Sequence, residues 1–144
     1  HDIDMFSLEE LTIEKLKEFK NIIIGCSTVG AETWEKTGET IWSRFIHEIE
    51  KIKLPGTKVA IFGLGDQLLY PAHFVDDMKV LYKTFKNAEA EIVGPWETQG
   101  YSFEESNSVI DGKFLGLAID EDRQPDLTNE RITKWTEIIK KEFN

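Results

Sequence analysis

Cysteine is nearly missing from this sequence. Cys26 is the only one, so no internal disulfide can form, and nothing points to an oxidising compartment. Long apolar runs are missing too: none approaches membrane-spanning length, and no signal-peptide pattern opens the chain. Together these absences make a cytoplasmic location the expectation. Positive charge is scarce. Seventeen Lys and Arg face 27 Asp and Glu, a net of −10. That balance argues against nucleic acid, whose phosphates demand a basic patch, and against anionic membrane surfaces. It suits plain solubility, and it suits docking onto a basic protein partner. Repeats, low-complexity tracts and linkers are absent. His47 and His73 lack metal-ligand spacing, and no Cys or carboxylate cluster completes a metal site.

What is present is a folding composition. The 144 residues are 40% hydrophobic and 11% aromatic, the size and content of one domain with a good core. Strand-like runs alternate with amphipathic helices, the pattern of a parallel α/β sheet. Ile3–Phe6 reads as a weak strand. Ser7 opens a helical stretch, with Glu10 completing a capping box. Asn21–Cys26 is a continuous β-branched run, suited to a central parallel strand buried on both faces. A second helix is expected from about Glu39 to Ile52, with Trp42, Phe45, Ile46 and Ile49 on its apolar face. Thr57–Phe62 is another buried strand. A third helix is expected over His73–Phe85. A last strand begins at Ala90–Val93, is interrupted by a polar, aromatic-bearing segment from Pro95 to Lys113, and resumes at Phe114–Ile119. The final helix is expected to start near Thr128 as N-cap, with Ile132, Trp135, Ile138, Ile139 and Phe143 as its buried stripe. Trp42 and Trp135 sit on helical faces and read as core. Cys26, at a strand end without a basic neighbourhood, reads as a small packed hydrophobe.

In an open parallel sheet, ligands bind outside the carboxyl ends of the strands. Three segments occupy that edge: Ser27-Thr28-Val29-Gly30, the run from Gly63 to Tyr70, and the turn Asp120-Glu121-Asp122. Glycines there let backbone N–H groups approach a ligand closely. A carboxylate or amide can accept hydrogen bonds from a polar ring edge, and Tyr70 can stack on a flat ligand. Taken alone, Gly63-Leu64-Gly65-Asp66 reads equally well as a tight strand-to-loop turn. It is not a dinucleotide fingerprint, because the third glycine and its helix register are missing.

The wording of three segments carries a family resemblance. Ile61-Phe62-Gly63-Leu64-Gly65-Asp66-Gln67, with Tyr70 and Phe74, resembles the flavin-binding loop of long-chain flavodoxins. Gly100-Tyr101-Ser102-Phe103-Glu104-Glu105-Ser106 is similar to the extra loop of that subclass. Phe114–Asp122, followed by Gln124-Pro125-Asp126-Leu127-Thr128, Arg131 and Trp135, is similar to the family's C-terminal signature. The resemblance runs from about Ile22 to the end. It implies a single flavodoxin-like domain over 1–144, short at its N-terminus. The implied fold is a three-layer flavodoxin-like parallel sheet with helices on both faces and strand order 2-1-3-4-5, in which the first, central strand is absent. It also implies FMN as cofactor. Leu64, Gly65, Asp66 and Gln67 would line the ring edge, Tyr70 would stack on its outer face, and Thr28, Val29 and Gly30 would form the other flanking loop. Either Val29 or Trp34 would supply the inner face.

One departure is plain. No Thr-x-Thr-Gly-x-Thr-like segment, which the family uses at a helix N-terminus to hold the FMN phosphate, precedes Ile22. Thr37, Gly38 and Thr40 at the start of the second helix are poor substitutes. The chain reads as part of a longer protein, as a shortened member that repacks by strand exchange in a dimer, or as a scaffold without flavin. Two functions follow. The first is a non-enzymatic carrier that passes single electrons on noncovalently bound FMN between redox partner proteins with basic docking surfaces. The alternative is an FMN-free flavodoxin-fold interaction or regulatory module. No catalytic triad is arranged. A phosphoacceptor role is weak, because Asp2 and Asp4 have no lysine to meet near Ile119.

Overall fold

The computed structural model describes residues 2–27 and 41–144. Two long apolar runs form its parallel heart: β1 (Asn21–Ser27) and β2 (Lys58–Leu64) pair along their whole length, Asn21 beside Lys58 and Ser27 beside Leu64. The other side of β2 is shared. β3 (Glu91–Val93) pairs with its first half, and a later strand, Leu117–Ile119, pairs with its second half. The interrupted last strand expected from the sequence is therefore real: one strand position is filled by two segments. Among the described residues β1 pairs with β2 alone.

The interruption folds on itself. β4 (Trp96–Glu97), β5 (Val109–Ile110) and β6 (Lys113–Phe114) make a small antiparallel sheet, and Leu117–Ile119 is β7. An aromatic knot pins this excursion to the core. Phe114 is fully buried and packs against Phe74, Tyr101 and Phe103, with ring centroids 5.9, 5.1 and 5.2 Å away. Such edge and tilted contacts add to the area buried.

The period-two alternation of β2 divides the core into two layers. Val59 and Ile61 face a cluster with Phe45 and Ile49 of α2 (Ile41–Ile49) and Met78, Leu81 and Phe85 of α3 (Asp77–Asn87). Ala60 and Phe62 face the opposite cluster, with Trp135 and Ile139 of α4 (Pro125–Phe143). Helices thus cover both faces of the sheet, the three-layer arrangement expected. α1 (Ile13–Leu16) adds Leu16 to the first layer.

Several expected boundaries move, each for a local reason. Ile3–Phe6 is not a strand: it pairs with nothing among the described residues, and Ile3 and Met5 are exposed. A strand without a ladder has no backbone partners to hold it extended. Ser7 and Glu10 do bond as half a capping box, Ser7 N–H to Glu10 Oε2 at 3.3 Å. They close only one turn, and Thr12 caps α1 afresh. α2 begins in the described residues at Ile41, since Glu39 and Thr40 lie outside them, and it ends at Ile49. α3 starts at Asp77 and not His73, because Val75 has φ 49° and no right-handed helix runs through such a residue. α4 starts at Pro125, whose fixed φ and missing N–H suit a first helical position. Thr128 is therefore not the cap; it is buried in the first turns with its Oγ1 unpartnered among the described residues. On the same helix Ile132 is exposed and Arg131 is buried.

Gly116 marks where β7 meets β2. A Cβ there would sit 1.8 Å from the carbonyl oxygen of Ile61, backbone that cannot step aside. Gly116→Ala should cost about 3 kcal/mol, the upper end for overpacking, read as a lower midpoint in urea. Asp77 is a second test. It is buried, with Oδ2 unpartnered among the described residues. Burial, reinforced by the neighbouring Asp76 charge, pushes its carboxyl from 3.8 up to about 6. Burial first, and then the Asp77 charge, pushes the Cys26 thiol up to about 12, which suits an inert packed residue. A folded value above the unfolded one means that native Asp77 keeps its proton while the unfolded chain loses it. Stability therefore falls as pH rises from about 4 to about 6 and stays reduced above that. Asp77→Asn should stabilise the protein at pH 7.5 by about 1–3 kcal/mol. The gain should vanish near pH 4, measured by urea unfolding across the range.

Candidate functional site

The sheet register brings three strand ends to one line. Ser27 ends β1 beside Leu64 of β2, and Leu64 lies beside Ile119 of β7. The residues after β2 and β7 leave the carboxyl edge together, and Gly65 N–H continues the ladder to Ile119 O at 2.9 Å. This is the edge where open parallel sheets bind ligands.

Two carboxylates organise it. Asp120 follows β7 and is completely buried. Its Oδ2 accepts Gln67 N–H at 2.9 Å, and its Oδ1 accepts the N–H groups of Asp122 and Arg123 at 3.1 and 2.9 Å. A buried carboxylate needs such partners, and backbone N–H groups supply them here. Asp66 is the second. Its Oδ1 accepts Leu68 and Leu69 N–H at 3.0 and 2.9 Å, and Arg123 Nε at 2.9 Å. Foremost the Arg123 hydrogen bond, then the Leu69 and Leu68 N–H groups, hold the Asp66 carboxyl below its usual value against the opposing effect of burial. Asp66 O also accepts Tyr70 N–H at 2.9 Å, which closes the turn.

Beneath this turn, Gly65 lies close on the core. A Cβ there would meet Phe74 Cδ1 and Val75 Cγ1, both at 3.1 Å. The left-handed Val75 is held by the excursion: Ser108 Oγ donates to Val75 O at 2.7 Å, and Ser106 Oγ to Phe74 O at 2.6 Å. Strain of this kind persists where the surroundings over-determine it. Gln67 ties in the same excursion from above, its Oε1 accepting Ser102 N–H.

The result is a cavity of about 350 Å³ at the strand ends. Leu64, Gly65, Asp66, Leu69 and Tyr70 line one side, Glu121 and Asp122 another, and Ser27 meets them from β1. The sequence-predicted Leu64, Gly65, Asp66 and Tyr70 are thus brought together. Gln67 is not in the lining; its side chain is buried behind the turn. Thr28, Val29, Gly30 and Trp34, and Thr37, Gly38 and Thr40, lie outside the described residues. Arg123 and the buried role of Asp120 were not read from the sequence. The available signal was one cation closing an acidic run, Asp120-Glu121-Asp122-Arg123. Arg131 was also missed as a structural residue. Its guanidinium lies 3.9 Å over the Tyr101 ring and donates to Gly100 O at 3.1 Å and Gln124 Oε1 at 2.8 Å.

Chemically, the cavity combines apolar and aromatic side chains, Leu64, Leu69 and Tyr70, with the acidic Asp66, Glu121 and Asp122. No lysine or arginine is among its described lining residues. It can hold a flat, largely neutral ring with a polar edge, and its size falls within the range of small-molecule sites. Asp120→Ala should cost about 2–4 kcal/mol, because three N–H groups lose their acceptor in a dry position. Urea unfolding measures the loss.

Comparison with known proteins agrees with this geometry. The flavodoxin family model matches residues 1–135. A flavodoxin from Trichodesmium erythraeum is 40% identical over 98% of this chain and 81% of its own length. Flavodoxin 1 of Escherichia coli is 39% identical over the whole of this chain and 77% of its own. The crystal structure of Fusobacterium nucleatum flavodoxin bound to flavin mononucleotide superposes with a TM-score of 0.86 at 32% identity, covering 99% of this chain and 83% of that one. With the family model matched over residues 1–135 and curated flavodoxins about 40% identical over nearly all of it, the chain belongs to the flavodoxin family.

Proposed function

We propose that the strand-end cavity receives the isoalloxazine ring of FMN and that the protein carries electrons between redox partner proteins. The observation that carries this reading is the cavity itself, which lies at the carboxyl edge with Tyr70, Leu64 and Leu69 in its walls and Asp66, Glu121 and Asp122 beside them. When bound, FMN supplies one-electron chemistry that no amino-acid side chain here provides. The residues present fit the ring. Tyr70 offers an aromatic face for stacking, and the Gly65–Asp66 backbone borders the polar edge. Gly65 leaves the lip thin enough for close approach. The alternative of an FMN-free module has no observation of this cavity in its favour.

The chain's own contribution is binding and field. Asp66, Asp120 and Arg123 hold the turn fixed before the ligand arrives, which lowers the ordering cost of binding. Glu121 and Asp122 leave the rim acidic. Beside them Leu68 and Leu69 are exposed, an apolar patch within an acidic surround. We infer a docking face for partners with basic surfaces, the charge guiding encounter and the leucines supplying the dry contact. With a net charge of −10, that encounter should slow as salt rises. Among the described residues no helix is long and apolar enough to cross a membrane; a cytoplasmic setting is the location we infer.

Tyr70→Ala should weaken FMN binding about tenfold or more, since a stacked aromatic face is worth about 1–3 kcal/mol on nucleobase-like rings. Fluorescence titration of FMN measures it, and an unchanged dissociation constant would show that Tyr70 does not stack on the ring.

A further inference from the structure

Arg123 touches both organising carboxylates, each with a different group. Its backbone N–H donates to Asp120 Oδ1 at 2.9 Å. Its guanidinium Nε donates to Asp66 Oδ1, also at 2.9 Å. The two contacts join loops that leave different strands, 57 residues apart in sequence. Asp66 is largely buried, with 11% of its side chain exposed, whereas Arg123 is 43% exposed. The cavity lining holds three carboxylates, Asp66, Glu121 and Asp122, with Asp120 buried below. Arg123 stands beside them as a permanent positive charge, since a guanidinium does not lose its proton in a protein.

The charge of FMN at the ring depends on its redox state. Two-electron reduction with uptake of one proton leaves the ring one unit more negative than the oxidised form. An acidic site therefore resists reduction, and a cation bonded to one of its carboxylates relieves part of that resistance. Resting on the flavin reading above, we propose that Arg123 sets the redox bias of this site: paired with Asp66, it offsets the negative field that the reduced ring meets. Its role is that of a positioning and charge-compensating residue, one step from the ligand.

A purely structural tie and a charge-compensating tie differ in one observable. If Arg123 only holds the loops, its removal weakens oxidised and reduced FMN equally, and the potential stays put. If it compensates charge, Arg123→Gln weakens the reduced form about tenfold more than the oxidised form. That ratio lowers the two-electron potential by about 30 mV. Arg123→Lys keeps the charge and should hold the parental potential. The double variant Arg123→Gln with Asp66→Asn removes both charges and should return the potential towards the parental value.

The experiment reconstitutes the parent protein and each variant with FMN, and in parallel with riboflavin, which lacks the phosphate. It measures the oxidised-state dissociation constant and the midpoint potential at pH 7.5. A lowered potential in Arg123→Gln with both flavins, restored in the Lys and double variants, is the expected result. An unchanged potential in Arg123→Gln overturns the inference while leaving the flavin reading intact. An effect seen with FMN and not with riboflavin also overturns it, since Arg123 would then act on the phosphate. A parent protein that binds neither flavin refutes the flavin reading itself, and this inference with it.

Discussion

The buried carboxylate of Asp120 is the constraint on which the site depends. It sits at the end of β7 with no access to solvent, so its charge must be met from within. Three backbone N–H groups meet it, one of them from Gln67, 53 residues away. Satisfying that carboxylate forces the 66–70 turn and the 120–123 turn to share one geometry. Asp66 then repeats the device one layer outward, and Arg123 closes the pair. The cavity is the space these two turns leave at the sheet edge.

The excursion between β3 and β7 supports the same site from beneath. It interrupts a strand that β2 needs along its whole length, yet β2 remains paired, because β3 and β7 divide the strand position between them. The aromatic knot around Phe114 anchors the excursion, and its serines fix the strained turn at Val75 under Gly65. Arg131 fastens its other end by stacking on Tyr101. The strand-end turn, the turn beneath it and the excursion are thus one connected body, the arrangement that a preorganised site would require.

Much of this was legible in the sequence, and what was not has physical causes. β1 and β2 announced themselves as continuous β-branched and apolar runs; β2 is covered on both faces as such a run suggests, whereas β1, paired on one side among the described residues, leaves Ile23 48% exposed. The split last strand was legible because apolar segments flank a polar, aromatic one. Helix starts were misplaced where one backbone angle decided the matter: Val75 at φ 49° delayed α3, and Pro125 advanced α4 ahead of Thr128. Ile3–Phe6 has a strand composition but no ladder beside it. Leu64, Gly65, Asp66 and Tyr70 do line one cavity, but glycines and a carboxylate at a strand end read equally well as a tight turn, so it was the family resemblance and not the spacing that singled them out. Arg131 and Arg123 escaped because their partners, Gly100, Tyr101 and Asp66, come from distant segments, and charge at helical or turn spacing reads as solvated surface. Gln67 shows the reverse: a polar residue at the right edge whose side chain turns out to tie the scaffold behind it.

The account rests on ligand occupying the strand-end cavity and not the groove between the N-terminal segment and α2, lined by Leu8, Leu11, Arg44 and Ile52 among others. The most direct test is amide chemical-shift mapping by NMR during titration with FMN. The account predicts that the amides of residues 64–70 and 120–123 shift together as one site fills, while those lining the groove stay in place. Shifts centred on the groove, or saturating FMN with no change at either turn, would contradict it.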